Sequence, residues 1–156
     1  MIKVGDSIPS ANITVISKNG QDNVSASDYF ANKKTVLFAL PGAFTPTCSE
    51  AHLPGFVVKF DDIIVKGVDA VACLSVNDSF VMKAWQTAQN AENIDMIADG
   101  GAALTKAMGL VLDTADFGGT RSQRYSMIID NGVVTHLNLE EGGFEVSDAD
   151  TALSQL

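Results

Sequence analysis

The most constraining feature of this chain is an apolar run followed by a proline-bounded loop and a long helical period. Thr35-Val-Leu-Phe-Ala-Leu40 reads as a buried strand. Pro41-Gly-Ala-Phe-Thr-Pro-Thr-Cys-Ser-Glu50 follows, and Glu50 to Lys66 has helical periodicity. A strand feeding a helix of this length belongs to an α/β unit. Thr45 suits a helix N-cap, and Pro46 suits the first helical position. Cys48 then falls in the first helical turn, where free N–H groups favour negative charge. Free cysteines are commonly buried and inert, but a helix start is where a thiolate forms most readily. The position therefore favours a reactive Cys48.

The rest of the chain alternates strands and helices. Residues 1–9 read as an extended entry, and Ala11 to Ile16 as a strand. Asn19-Gly20 is a turn signal that lets Gln21 to Val24 pair back as a hairpin. Ser25-Ala-Ser-Asp28 has capping-box spacing before a short helix. Pro54 lies inside the helical stretch after Cys48, so a short segment bearing Cys48 and a second from Pro54 to Lys66 are expected. Asp69 to Val76 reads as a second buried strand. A helix to about Asn90 follows, with Phe80, Ala84, Trp85 and Ala88 inward. Ile94 to Ala98 is a short strand, Ala102 to Met108 a helix, and Asp113 to Thr120 a glycine-rich loop. Tyr125 to Asp130, Asn131-Gly132 and Val133 to Leu139 make a strong type I′ hairpin pattern. Ser147 to Asp150 opens a terminal helix.

Pro41, Thr45 and Cys48 form the pattern Pro-x-x-x-Thr-x-x-Cys within this longer string. It resembles the active-site loop of peroxiredoxins, and more narrowly the short branch with plant type II and atypical mitochondrial and peroxisomal forms. The resemblance continues through His52-Leu-Pro-Gly-Phe56, Cys73-Leu-Ser-Val-Asn-Asp78, Met82-Lys-Ala-Trp85 and Arg121-Ser-Gln-Arg-Tyr-Ser-Met127. It implies a thioredoxin-like α/β fold with an N-terminal extension, built as one domain over residues 1–156.

The resemblance also implies a chemistry. A cysteine thiolate attacks a peroxide oxygen and becomes a sulfenic acid. Cys48 is the implied peroxidatic residue. Thr45 is implied to hydrogen-bond the peroxide and the sulfur, Pro41 to shield the pocket from water, and Arg124 to stabilise charge. Arginine suits that role because it stays charged and offers several donors. Arg121 is the rival basic residue, with a supporting part. His52, four residues after Cys48, could form a Cys–His acyl-transfer pair, but such pairs need a base oriented by a third group. In the family the matching histidine lies beside the site and is not the base.

Cys73 lies in a buried-strand pattern, so a core thiol is its plain reading. The alternative is a resolving cysteine that forms a disulfide with oxidised Cys48. Animal atypical forms carry a resolving cysteine near the C-terminus. Here Glu141 to Leu156 has none, and Ser147 lies about where it would fall. One-Cys behaviour is therefore expected, with the sulfenic acid reduced by an external thiol: glutathione with glutaredoxin, or thioredoxin. The implied substrates are hydrogen peroxide and organic hydroperoxides, and the implied assembly is a homodimer.

Composition narrows the alternatives. A net charge of −9 disfavours nucleic acid and anionic membranes as partners. The N-terminus shows no signal pattern and no run approaches membrane-spanning length, so a cytoplasmic location is the expectation. Two cysteines make no disulfide framework, and no zinc spacing, P-loop or dinucleotide fingerprint is present. Neither a cofactor nor a metal is expected. Thr45 and Ala51 stand three residues either side of Cys48, so the Cys-x-x-Cys of dithiol oxidoreductases is absent. A redox sensor that switches on Cys48 oxidation is the non-enzymatic alternative.

Overall fold

A computed structural model describes all 156 residues. Its frame is a seven-stranded sheet with strands in the order β2-β1-β5-β4-β3-β8-β9. The central three are β3 (Lys34–Ala39), β4 (Ala70–Ser75) and β5 (Asp95–Ala98), and they run parallel. Helices cover both faces, which is why these strands read as continuous apolar runs rather than alternating ones. Antiparallel β1 (Asn12–Ser17) and β2 (Gly20–Ser25) extend one edge. The hairpin of β8 (Tyr125–Asp130) and β9 (Val133–Leu139) extends the other. Its turn is the expected one, with Asn131 at φ 48° and Gly132 at φ 77°.

Residues of β3, and Leu40 just beyond it, alternate between two cores. Val36, Phe38 and Leu40 face the side carrying Cys48, Phe56 and Trp85, while Leu37 and Ala39 face the side carrying Phe30, Leu104 and Met108. The first side is roofed by α2 (Leu53–Val65), α3 (Ser79–Ala88) and α5 (Ala149–Ser154). The second is roofed by α1 (Ala26–Phe30) and α4 (Ala103–Met108). Phe38 and Phe56 stack across the first core with ring centroids 4.0 Å apart. No helix is long and apolar enough to cross a membrane.

The two helical segments expected around Pro54 are both present, and three other local expectations are revised. The break at Pro54 is a π turn over Cys48–His52, closed by the Leu53 N–H on the Cys48 carbonyl. Pro54 has no N–H for the carbonyl four residues back, and the widened turn absorbs the mismatch before α2 begins. Along α3 the buried residues are Met82, Trp85 and Gln86, whereas Phe80, Ala84 and Ala88 are exposed. Trp85 Nε1–H donates to the Ser49 hydroxyl, and Gln86 donates to the Ile16 and Ile94 carbonyls, so polar anchoring sets the helix phase. The Ser25 side chain bonds to the Ser10 and Ser27 hydroxyls instead of capping α1. The loop expected over residues 113–120 is flanked by a small ladder of β6 (Val111–Asp113) and β7 (Thr120–Ser122).

Candidate active site

The loop from Pro41 to Thr47 leaves the end of β3 and is set by its own short contacts. Phe44 sits at φ 64°, a left-handed conformation that bulky residues avoid. Two hydrogen bonds flank the kink. The Ala43 N–H donates to Asn77 Oδ1 at 3.1 Å, and the Thr45 hydroxyl donates to the Gly42 carbonyl at 2.7 Å. A Cβ on Gly42 would lie 3.2 Å from Thr45 Cγ2, which makes glycine the natural residue there. Thr45 does stand at the N-cap position, because its carbonyl accepts the Ser49 N–H at 2.9 Å. Its hydroxyl proton goes to Gly42, with no hydrogen bond to the Cys48 sulfur.

Cys48 opens the π turn and is fully buried, its residue 0 % exposed. Arg124, immediately before β8, reaches it from the sheet edge: Nη2–H donates to Sγ at 3.3 Å. The other arm, Nη1, lies 2.9 Å from His52 Nδ1. On the far side of that ring, Nε2 lies 2.9 Å from the Ser147 carbonyl. A carbonyl only accepts, so Nε2 carries the proton and Nδ1 accepts from Arg124. Burial and then the charge of Arg124 push the His52 pKa down to about 3. His52 is thus a neutral support with both nitrogens engaged. The family resemblance implies a histidine beside the site and out of the base role, and the Cys–His pairing that the spacing left open is not formed. The hydrogen-bonded contact with Arg124 was not legible in the sequence, because 72 residues separate the pair.

Pro41 and Arg124 line a cleft of about 600 Å³ together with Thr47, Gln123, Glu140 and Phe144. Pro41 also borders a smaller cleft of about 320 Å³, shared with Thr45, Phe117 and Arg121. Of the four sequence-derived site residues, Cys48 and Arg124 are in direct contact, and Pro41 and Thr45 wall the adjoining space. Arg121 does not reach the sulfur. Its Nε donates to the Gly118 carbonyl at 3.0 Å and its Nη1 to the Val76 carbonyl at 3.2 Å, tying the β6–β7 loop to the end of β4. A Cβ on Gly118 would fall 2.8 Å from that guanidinium.

Cys73 lies in β4, buried in the same core as Cys48. Burial, followed by the proximity of Cys48, raises its thiol well above the ordinary value, so it stays protonated.

A buried sulfur held by a permanent cation at the foot of a helix is an arrangement for stabilising a thiolate and the charge it displaces. The family model for redoxins matches residues 3–153. The chain belongs to the peroxiredoxins within that family. Peroxiredoxin-2D of Arabidopsis thaliana is 46% identical over 159 residues, covering 99% of this chain and 98% of that one. Hybrid peroxiredoxin hyPrx5 of Haemophilus influenzae is 47% identical over 139 residues, 86% of this chain and 58% of the relative. The crystal structure of reduced Prx3 from Vibrio vulnificus in complex with hydrogen peroxide is 59% identical. It superposes with a TM-score of 0.96 over 99% of both chains. The thioredoxin-like fold and the peroxiredoxin class of enzyme, a thiol-dependent peroxidase, follow from this agreement.

Proposed function

We infer that this peroxiredoxin reduces hydrogen peroxide and alkyl hydroperoxides through Cys48. The observation that carries the reading is the 3.3 Å contact between Arg124 Nη2 and the buried Cys48 Sγ. The thiolate attacks the hydroxyl oxygen of the peroxide along the O–O axis. The S–O bond forms as the O–O bond breaks, sulfur is oxidised to sulfenic acid, and the alkoxide or hydroxide leaves and takes up a proton. Arg124 lowers the energy of that charge, because its guanidinium is already in place and cannot lose its own. Pro41 walls the cleft against water, and Thr45 supplies a hydroxyl oxygen beside it. His52 is no base here, since neither ring nitrogen is free.

Recycling falls to an external thiol, glutathione with glutaredoxin or thioredoxin. The thiol condenses with the sulfenic acid, releasing water and forming a mixed disulfide that a second thiol resolves. The cleft of about 600 Å³ leaves room for a reductant much larger than peroxide. The protein works in the cytoplasm as a homodimer. Phe44, Phe80 and Phe117, at 57%, 86% and 84% exposure, support the assembly as large apolar side chains left in solvent.

The test is one equivalent of hydrogen peroxide on the reduced protein, with a sulfenic-acid trap and intact mass analysis. A trapped adduct on Cys48 supports the reading. A loss of two mass units with no adduct reassigns recycling to an intramolecular disulfide with Cys73. No reaction sinks the peroxidase role of Cys48.

A further inference from the structure

The segment from Glu141 to Val146 is a strap across the site. It makes no backbone–backbone hydrogen bond of its own. Its Phe144 ring packs 4.9 Å from the His52 ring and 5.9 Å from the Arg124 guanidinium carbon. What fixes the strap is one carboxylate. Glu140 accepts from the N–H groups of Glu145, Val146 and Ser147 at 2.8–3.0 Å, and from the Ser147 hydroxyl at 2.6 Å.

The placement of Glu140 makes this arrangement informative. Its N–H donates to the Arg124 carbonyl at 3.0 Å, so the two residues face each other where the β8–β9 ladder ends. A carboxylate opposite an arginine would ordinarily pair with it. The ion pairs of this chain lie elsewhere, at Lys3–Asp6 and Lys59–Asp150. The Glu140 carboxylate is buried and turned onto the strap, leaving the guanidinium to the sulfur and to His52. Ser147 joins the two halves: its N–H and hydroxyl are held by Glu140, and its carbonyl takes the His52 Nε2–H.

We propose that Glu140 is a positioning residue for the peroxide reaction: by fixing Ser147 it sets the His52 tautomer, and through it aims Arg124 at Cys48. The proposal rests on the reading of Cys48 and Arg124 above. Without the carboxylate the Ser147 carbonyl is free to drift, the ring can carry its proton on Nδ1, and a protonated Nδ1 repels the Arg124 donor.

The decisive variant is Glu140→Gln, whose amide presents one acceptor and two donors to four converging donors. Nitrogen NMR of the full-length reduced protein reads the His52 ring directly. In the wild type, Nε2 resonates as the protonated nitrogen and Nδ1 as the acceptor. In Glu140→Gln the two signals converge, and the rate constant for hydrogen peroxide falls about tenfold, the scale of one lost hydrogen bond in the transition state. A strap with only a structural role would lower the melting temperature and leave the ring signals in place. Wild-type ring signals or a wild-type rate in a folded Glu140→Gln protein overturns the proposal. If that variant does not fold, Ser147→Ala removes only the hydroxyl contact and decides instead. Convergence with about a threefold slower reaction is expected, and no change in either readout overturns the proposal. A wild-type protein inert toward peroxide would sink the reading of Cys48, while the ring signals would still judge Glu140.

Discussion

The guanidinium of Arg124 holds Cys48 and His52 at once, with Nη2 3.3 Å from the sulfur and Nη1 2.9 Å from Nδ1. One planar fork therefore joins the end of the sheet to both ends of the π turn. Its orientation is fixed by a neutral partner rather than by an acid, so its positive charge is not neutralised before it meets the sulfur.

Replacing Arg124 by Ala should slow oxidation of Cys48 by hydrogen peroxide about 10²–10³-fold, the usual loss when one preorganised donor is removed from a reacting centre. Lysine should recover little, since a point charge cannot reach the sulfur and His52 together. Stopped-flow measurement of sulfenic acid formation checks both variants. A lysine variant near the wild-type rate would show that charge alone suffices.

His52 should give the protein an acid-sensitive fold. Burial, then the charge of Arg124, lowers its pKa from 6.5 to about 3 in the folded state. Between those values the unfolded chain binds the proton and the folded one does not, so stability rises with pH and is lost as pH falls from 6.5 toward 3. The limiting slope is about 1.4 kcal/mol per pH unit. Glu140 has its own opposing influences: burial raises its pKa, and the strap hydrogen bonds outweigh that to lower it. Its contribution disappears only at lower pH, as the carboxyl titrates. Urea titrations between about pH 5 and 6.5 should thus show a loss of about 1–2 kcal/mol in the wild type. His52→Asn should flatten that limb, and an unchanged slope would place the titration elsewhere.

Much of this site could be read before the fold was known, for definite reasons. Cys48 announces itself through local order, a strand end, a cap residue and Pro46, all within a dozen residues. The β8–β9 hairpin announces itself through Asn131-Gly132, where both residues take positive φ. The inward face of α3 could not be read from apolar spacing, because the polar anchors of Trp85 and Gln86 lie on other elements. Strands β6 and β7, three residues each, are too short to show a period. Glu140 was hidden for another reason. Its partners are backbone N–H groups of an aperiodic segment, which carry no side-chain signature.

Trp85 is the only tryptophan, and its Nε1–H donates to the Ser49 hydroxyl at 3.0 Å, one residue from Cys48. Oxidation of the sulfur adds an oxygen to a fully buried position, so the π turn around it must shift. Intrinsic fluorescence should therefore change with the same rate constant as peroxide consumption. Cys48→Ser should abolish the change. Trp85→Phe should lower stability by about 2–3 kcal/mol, through the lost hydrogen bond and the space left in a fully buried position. A fluorescence change that persists in Cys48→Ser would report some other oxidation.

Thr45 offers the sharpest contrast between scaffold and chemistry. Its proton is already donated to the Gly42 carbonyl at 2.7 Å, which braces the loop beside the left-handed Phe44. The oxygen retains acceptor capacity, so a peroxide O–H can donate to it without breaking that brace. Thr45→Ser keeps both functions and should react within a few-fold of the wild type. Thr45→Val keeps the shape and loses the oxygen, and should slow the reaction about tenfold, the value of one hydrogen bond made in the transition state. If the valine variant reacts as fast as the wild type, Thr45 serves only to start the helix. If serine fails along with valine, the loop requires the methyl beside Gly42 as well as the oxygen.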